Sequence, residues 1–99
     1  METIELTYKG DQKFYVIVNG IRIDFRLHRF RDVIYADIWI DNEIIAYSVR
    51  CVPFGKLLPI QYESKVGNFF FQTTDDEYPT YDNLGVSCNF IHISETEIG

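Results

Sequence analysis

Residues 21–28 read Ile21-Arg22-Ile23-Asp24-Phe25-Arg26-Leu27-His28, so apolar and polar side chains alternate along them without exception. Such alternation is typical of a β-strand that has one face against a hydrophobic core and the other in water. Asn19-Gly20 comes directly before this stretch, and the largely apolar run from Lys13 to Val18 comes before that pair. Both central residues of a type I′ turn need positive φ, which Asn and Gly tolerate, so the sequence predicts a β-hairpin.

The rest of the chain repeats this two-residue period. The runs from Val33 to Ile40 and from Glu43 to Val52 flank Asp41-Asn42 and predict a second hairpin. Three further strands are predicted at Ile4–Tyr8, Phe69–Thr74 and Val86–Ile93.

The connections are predicted from turn and loop residues. Pro53 to Pro59 is expected to form a corner with at most one helical turn, because proline removes a donor from a strand ladder. Residues 75–83 are expected to form a polar loop, and residues 95–99 a frayed tail. The predicted fold is all-β, a single domain over residues 1–99. Its architecture is an antiparallel β-sandwich or a partly open β-barrel of about seven strands.

The alternation also predicts which side chains form the hydrophobic face. These are Ile21, Ile23, Phe25, Leu27, Ile38, Ile40, Phe70, Leu84 and Phe90.

Charge is segregated along the chain. The formal net charge is -6, which argues against a nucleic-acid backbone as the main partner. All nine lysines and arginines lie at or before Lys65, and the residues with a formal charge after it are all Asp or Glu. Opposite potentials on one molecule favour docking between protein subunits. A solvated surface whose asymmetry has no function is the alternative.

The two cysteines form no motif. Cys51 and Cys88 both lie in apolar runs, which predicts buried free thiols in a reducing cytoplasm. The acidic start at Met1-Glu2-Thr3 is unlike a signal peptide, and no apolar run approaches the ~20 residues that a membrane helix needs. We therefore expect a soluble protein with no membrane partner.

The candidate catalytic groups are few. His28 and His92 are the only histidines, and both are predicted to be structural or surface residues. The Asp37/Asp41 and Asp75/Asp76 pairs could serve as acid and base in a small carboxylate-dependent enzyme, which is the least favoured alternative. Residues 75–77 lack the ligand pattern of a calcium loop. We therefore predict no catalytic site, no metal and no cofactor.

Four arginines fall within ten residues and form what we call the arginine ribbon: Arg22, Arg26, Arg29 and Arg31. With His28 nearby and with aromatic residues close in sequence, the ribbon could be the single-stranded nucleic-acid platform of an OB-like barrel. Those aromatic residues are Tyr8, Tyr15, Phe30 and Tyr35. Asp24 and Asp32 interrupt the patch, which weakens this alternative. The remaining alternative is that the ribbon is an ordinary solvated strand face, which could form ion pairs with acids of a neighbouring subunit.

A larger pattern spans most of the chain. Its pieces, in order, are Asp37-Ile38-Trp39-Ile40-Asp41, then Ile44 to Cys51, then Val52-Pro53-Phe54-Gly55-Lys56-Leu57-Leu58, then Gly67 with Phe69-Phe70-Phe71, then Pro79, and then Asn83-Leu84-Gly85. Together with the Asn19-Gly20 hairpin, this order resembles the small baseplate plug proteins of long-tailed bacteriophages, including contractile-tailed cyanophages. The resemblance covers roughly residues 13 to 94.

The resemblance implies a structural virion protein without enzymatic activity. It implies a position at the axis of the tail baseplate, with the hub and spike and below the tail tube, after assembly in the host cytoplasm. The implied partners are hub, spike and tail-tube proteins, together with copies of the chain itself in a ring. The family has no catalytic motif to transfer. The expected contact residues therefore come from the charge pattern: the arginine ribbon, and the acidic loop, which we define as Asp75, Asp76 and Glu77.

Overall fold

The computed structural model describes residues 1–6, 11–80 and 82–98, which form two antiparallel β-sheets. The strands are β1 (Glu2–Ile4), β2 (Gln12–Val18), β3 (Ile21–Phe30), β4 (Val33–Ile40), β5 (Glu43–Arg50), β6 (Asn68–Thr73) and β7 (Cys88–Ile93). The larger sheet has the order β2-β3-β4-β5, and the smaller sheet has the order β1-β7-β6. The all-β prediction of seven strands is confirmed. Of the two predicted architectures the sandwich is the one that forms, because the sheets do not close into a barrel.

The larger sheet is a meander of consecutive hairpins. The predicted first hairpin is present, with Asn19 at φ 52° and Gly20 at φ 78° in its turn. The second hairpin turns at Asp41 and Asn42, which also have positive φ. These turns work because Asn, Asp and Gly enter the left-handed region at low cost. Short local signals therefore fix two of the three hairpins in this sheet.

Aromatic side chains join the two sheets. Phe14 and Phe25 of the larger sheet meet Phe69 and Phe90 of the smaller one. The ring centroids of Phe25 lie 4.8 Å from Phe69 and 5.2 Å from Phe90, both in edge-to-face arrangements. Such contacts add about 0.5–1.5 kcal/mol per pair beyond the burial of apolar area. This cluster is the centre of the core.

The core confirms most of the predicted hydrophobic face but corrects β6. The sequence predicts that Phe70 lies in the core, yet it is half-buried and contacts Phe54, whereas Phe69 and Phe71 are fully buried. The cause is register, because Phe71 pairs with Phe90 and this turns the odd-numbered residues of β6 inward. The predicted residues that are fully buried are Ile23, Phe25, Leu27, Ile38, Leu84 and Phe90, while Ile21 and Ile40 pack at the core's margin.

Several element boundaries also differ from the prediction. β1 runs from Glu2 to Ile4 rather than from Ile4 to Tyr8, and Thr7 and Tyr8 lie outside the described residues. β7 begins at Cys88 because the carbonyl of Asn83 accepts the N–H groups of residues 86, 87 and 88 and holds them in a turn. Residues 95–98, in the expected tail, form the helical turn α2 (Glu95–Ile98).

The predicted corner leads into two helical turns. A 3₁₀ turn, Ile60–Tyr62, runs directly into α1 (Glu63–Val66). The buried amide of Asn68 ties this segment to β6, because it accepts from the N–H of Leu58 at 2.8 Å and donates to the Glu63 carboxylate at 2.6 Å. The hydrogen bond from Asn68, and secondarily the one from Lys56, lowers the pKa of Glu63 below its ordinary value. The N–H groups of Phe54 and Leu57 donate to the carbonyls of Phe71 and Phe69, so the corner covers the edge of β6 that is not paired with β7.

Candidate interaction surface

The larger sheet has an outer face, turned away from the smaller sheet, that strand register defines. Its cross-strand rows run Tyr15–Asp24–Trp39–Ile44 and Lys13–Arg26–Asp37, with His28, Tyr35 and Arg50 in a further row. Ile17 and Arg22 complete the outer face beside the first hairpin turn.

Exposed apolar and aromatic groups form one part of the outer face. Tyr15 is 55% exposed, Ile17 63% and Ile44 48%. The half-buried ring of Trp39 lies between Tyr15 and Ile44 in its row, with the Lys13 ammonium 5.5 Å from the ring centroid. Contiguous exposed apolar area of this kind marks interaction sites on soluble proteins.

Arg22 is fixed in place on this face. Its Nε donates to Asp24 Oδ1 at 2.9 Å and its Nη2 to Oδ2 at 3.3 Å. The guanidinium also lies 4.1 Å from the ring centroid of Tyr15, within the range of a cation–π contact. Hydrogen bonding to Asp24 raises the pKa of Arg22 further above its ordinary value, so the cation persists at any working pH.

Asp37 is a buried carboxylate on an otherwise exposed face. It is 1% exposed and accepts the N–H of Ser48 at 2.7 Å. Arg26 Nη1 lies 3.5 Å from one carboxylate oxygen, and His28 Nε2 lies 3.4 Å from the other. A bulge in β5, where Ser48 has φ 51°, brings the Ser48 N–H onto the carboxylate. The sequence pattern placed Asp37 on the polar side of β4 but did not indicate its burial.

The structure places the two carboxylates of the predicted Asp37/Asp41 pair in different surroundings. Asp37 lies in the middle of β4, whereas Asp41 is exposed in the β4–β5 turn, where its N–H bonds to the carbonyl of Arg22. Ser48, His28 and Asp37 do come together. In this described part of the chain, however, no hydrogen bond joins the Ser48 hydroxyl to His28, and Ser48 reaches Asp37 through its backbone. The arrangement therefore orients the carboxylate of Asp37.

The arginine ribbon is divided by the strand. Arg22 and Arg26 lie on the outer face, where they pair with Asp24 and Asp37. Arg29 has the opposite strand register, that of Leu27, and its N–H bonds to Asp11. Arg31 lies in the β3–β4 turn with φ 58°. The four arginines therefore do not line one continuous track for a phosphate backbone.

The acidic loop is exposed in the connection between β6 and β7. Asp75 and Asp76 have φ of 55° and 56°, and the N–H of Glu77 closes the turn on the carbonyl of Thr74. The Ser87 hydroxyl donates to Glu77, and the next residue, Tyr78, packs under the guanidinium of Arg50. The loop therefore lies near the Arg50 end of the larger sheet.

Other potential sites are limited. Among residues 1–6, 11–80 and 82–98, no three His, Cys, Asp or Glu side chains are grouped to hold a metal ion. An open groove of about 340 Å³ lies at one end of the outer face, lined by His28, Arg29, Phe30, Tyr35 and Ser48. Within the same ranges, none of the helices has the length and apolarity that crossing a membrane requires.

Both cysteines are buried free thiols, as predicted. Burial raises the pKa of Cys51 to about 12, with a further contribution from Cys88, and burial likewise raises the pKa of Cys88 to about 12. Because the thiolate is the reactive form, neither cysteine is suited to nucleophilic chemistry in the folded protein.

Comparison with known proteins gives a family for this chain. No curated protein matches the chain significantly. Among protein families, residues 1–95 match the family described as cyanophage baseplate Pam3 plug gp18. The family resemblance that the sequence predicted is thereby confirmed, over a longer span than residues 13 to 94. The chain belongs to this family of cyanophage baseplate plug proteins.

Proposed function

We propose that this protein acts without catalysis, through protein–protein contacts that hold it at the centre of a phage tail baseplate. Membership of a baseplate plug family supports the location and the structural role. The outer face of the larger sheet is the observation that supports contact with other proteins as the mode of action. It exposes Tyr15, Arg22 and Arg26 beside Trp39, and Tyr, Trp and Arg are the residue types that dominate binding energy at interfaces.

The polar groups of the outer face support contact rather than chemistry. Its two carboxylates, Asp24 and Asp37, are buried; Asp24 accepts two hydrogen bonds from Arg22, and Asp37 pairs with Arg26. A preordered side chain loses less conformational entropy when a partner binds. The outer face is therefore suited to rigid docking.

The proposed partners are the hub, spike and tail-tube proteins of the baseplate, together with further copies of this chain. The proposed contact residues are the two groups defined above, the arginine ribbon and the acidic loop. Assembly would take place in the host cytoplasm, where the two thiols stay reduced.

A virion incorporation experiment tests the proposal. A phage that lacks its own copy of the gene is complemented with the wild-type chain or with Tyr15→Ser/Ile17→Ser, and the chain in purified tails is quantified by mass spectrometry. Both replaced side chains are exposed, so we expect folding to be unchanged and incorporation to fall about tenfold or more.

Ile60→Ser is the matched control, because Ile60 is 81% exposed and lies on the 3₁₀ turn rather than on a strand of the larger sheet. Normal incorporation of the Tyr15→Ser/Ile17→Ser variant would show that the outer face is not the contact surface. Absence of the wild-type chain from purified tails would refute the structural role. Tight binding of labelled single-stranded DNA at low salt, where electrostatic affinity is greatest, would support the nucleic-acid alternative instead.

A further inference from the structure

We infer that the outer face of the larger sheet binds a second copy of this chain, head to tail, through the acidic loop of that copy. The inference rests on the proposed contact function and names the partner of the same surface. The inference follows from the exposed donors of the arginines on the outer face and from the opposite charges of that face and the acidic loop. It follows also from the apolar groups that lie beside each of them.

The arginines of the outer face retain outward donors. The side chain of Arg22 is 50% exposed and that of Arg26 is 54% exposed, although their carboxylate partners Asp24 and Asp37 are 13% and 1% exposed. A guanidinium carries five N–H donors. Among the described residues, Arg22 uses its Nε and Nη2 groups on Asp24, and Arg26 uses Nη1 on Asp37. Each guanidinium therefore has further donors for a partner, and the planar fork of a guanidinium suits bidentate recognition of a carboxylate.

The charges on the outer face favour an acidic partner. Lys13, Arg22, Arg26 and Arg50 outnumber the two carboxylates there, although the chain as a whole carries -6. A phosphate backbone carries charge along its whole length, so it would meet the carboxylates of Asp24 and Asp37 as well as the cations. A compact acidic protein loop can place its carboxylates on the cations alone, and like-charge contacts are what exclude wrong partners.

The chain itself presents such a loop. Asp75, Asp76 and Glu77 are three consecutive exposed acids in the connection between β6 and β7. Within the described residues, Arg22 and Arg26 form their ion pairs with Asp24 and Asp37 and not with the acidic loop.

Apolar groups accompany the charges on both surfaces. Tyr15, Ile17 and Ile44 are exposed on the outer face, and Tyr78 and Val86 are exposed beside the acidic loop. A contact that buries both sets would combine apolar burial at its centre with charge pairs around it, the usual anatomy of an interface. Since the two surfaces are different patches of one chain, the contact is heterologous and can be repeated around a ring.

Self-association of the purified full chain gives the first test. Sedimentation equilibrium at low and high NaCl is measured for wild type, for Asp75→Asn/Asp76→Asn and for the control Asp41→Asn. Asn suits all three positive-φ positions, so the turns are kept while charge is removed. We expect wild type to associate, high salt to weaken it, and the double variant to raise Kd about tenfold while the control stays within about twofold.

A mixing experiment tests the head-to-tail geometry. Lys13→Glu/Arg26→Gln alters the outer face and leaves Asp37 its contacts with Ser48 and His28. This variant keeps an intact acidic loop, and Asp75→Asn/Asp76→Asn keeps an intact outer face. Each alone is expected to be mainly monomeric at concentrations where wild type associates. An equimolar mixture is expected to form 1:1 dimers and nothing larger.

A wild-type chain that stays monomeric at low salt, or a mixture that stays monomeric although both variants are folded, would overturn the inference. Self-association of the acidic-loop variant with wild-type affinity would do the same. In each case normal incorporation of the chain into tails would leave the proposed baseplate function standing, with another baseplate protein as the partner of the outer face.

Discussion

At the scale of single residues, Asp37 links three strands of the larger sheet, because Arg26 and His28 of β3 and Ser48 of β5 all contact its carboxylate. Alternation along β4 correctly assigns Asp37 to the side away from the core. Its burial depends on the bulge at Ser48, and serine carries no strong preference for the left-handed region that a bulge of this kind uses. The position of a buried carboxylate was therefore fixed by the neighbouring strand, which local sequence rules do not describe.

We expect Asp37→Ala to destabilise the protein by about 2–4 kcal/mol, because it leaves the Ser48 N–H without its acceptor and Arg26 without its carboxylate. Urea unfolding followed by tryptophan fluorescence measures the change in free energy. The control is Asp32→Ala in the exposed β3–β4 turn, which should stay within about 0.5 kcal/mol. Equal losses in the two variants would mean that the Asp37 contacts add nothing to stability.

At the scale of elements, turn chemistry was predictable and strand register was not always so. Asn19-Gly20 and Asp41-Asn42 carry their own conformational preference, so both hairpins could be located from four residues. Phe69-Phe70-Phe71 has no alternation to show which ring is inside. The answer comes from pairing with β7, where Phe71 lies opposite Phe90. A uniform apolar run leaves that choice to tertiary contacts.

This register predicts unequal effects from two adjacent and chemically identical substitutions. Phe71→Ala should cost about 3–5 kcal/mol, because it empties a fully buried site, whereas Phe70→Ala should cost about half as much or less. The thermal and urea stabilities of the two variants supply the comparison, and each serves as the other's control. A larger loss for Phe70→Ala would indicate that β6 pairs one residue out of register.

At the scale of the whole molecule, the sequence predicted the class of fold but not the arrangement of its sheets. Joining β1 to β7 brings together the two ends of the described chain, with Glu2 opposite His92. No local pattern encodes a pairing of such sequence separation. The family resemblance is recognisable from the sequence alone because it rests on the order of turns and apolar runs. That order does not depend on which strands pair.

The reactivity of the two thiols depends on whether the two sheets stay packed over one core. Cys51 follows β5 of the larger sheet and bonds through its N–H to Ile34, while Cys88 opens β7 of the smaller sheet. Both are buried, and burial raises the pKa of each to about 12, so almost no thiolate exists in the folded state at pH 8. The thiolate is the species that attacks a disulfide reagent.

We therefore expect a chromogenic disulfide reagent at pH 8 to react with neither thiol on mixing, and to label both at a rate that rises with urea in step with unfolding. Ile60→Cys places a third thiol at an exposed position and should react within the mixing time, which confirms that the reagent is active. Because the two native thiols belong to different sheets, separation of the sheets exposes both together. Rapid labelling of one thiol in the native protein would mean that the sandwich opens at that sheet while the other remains packed.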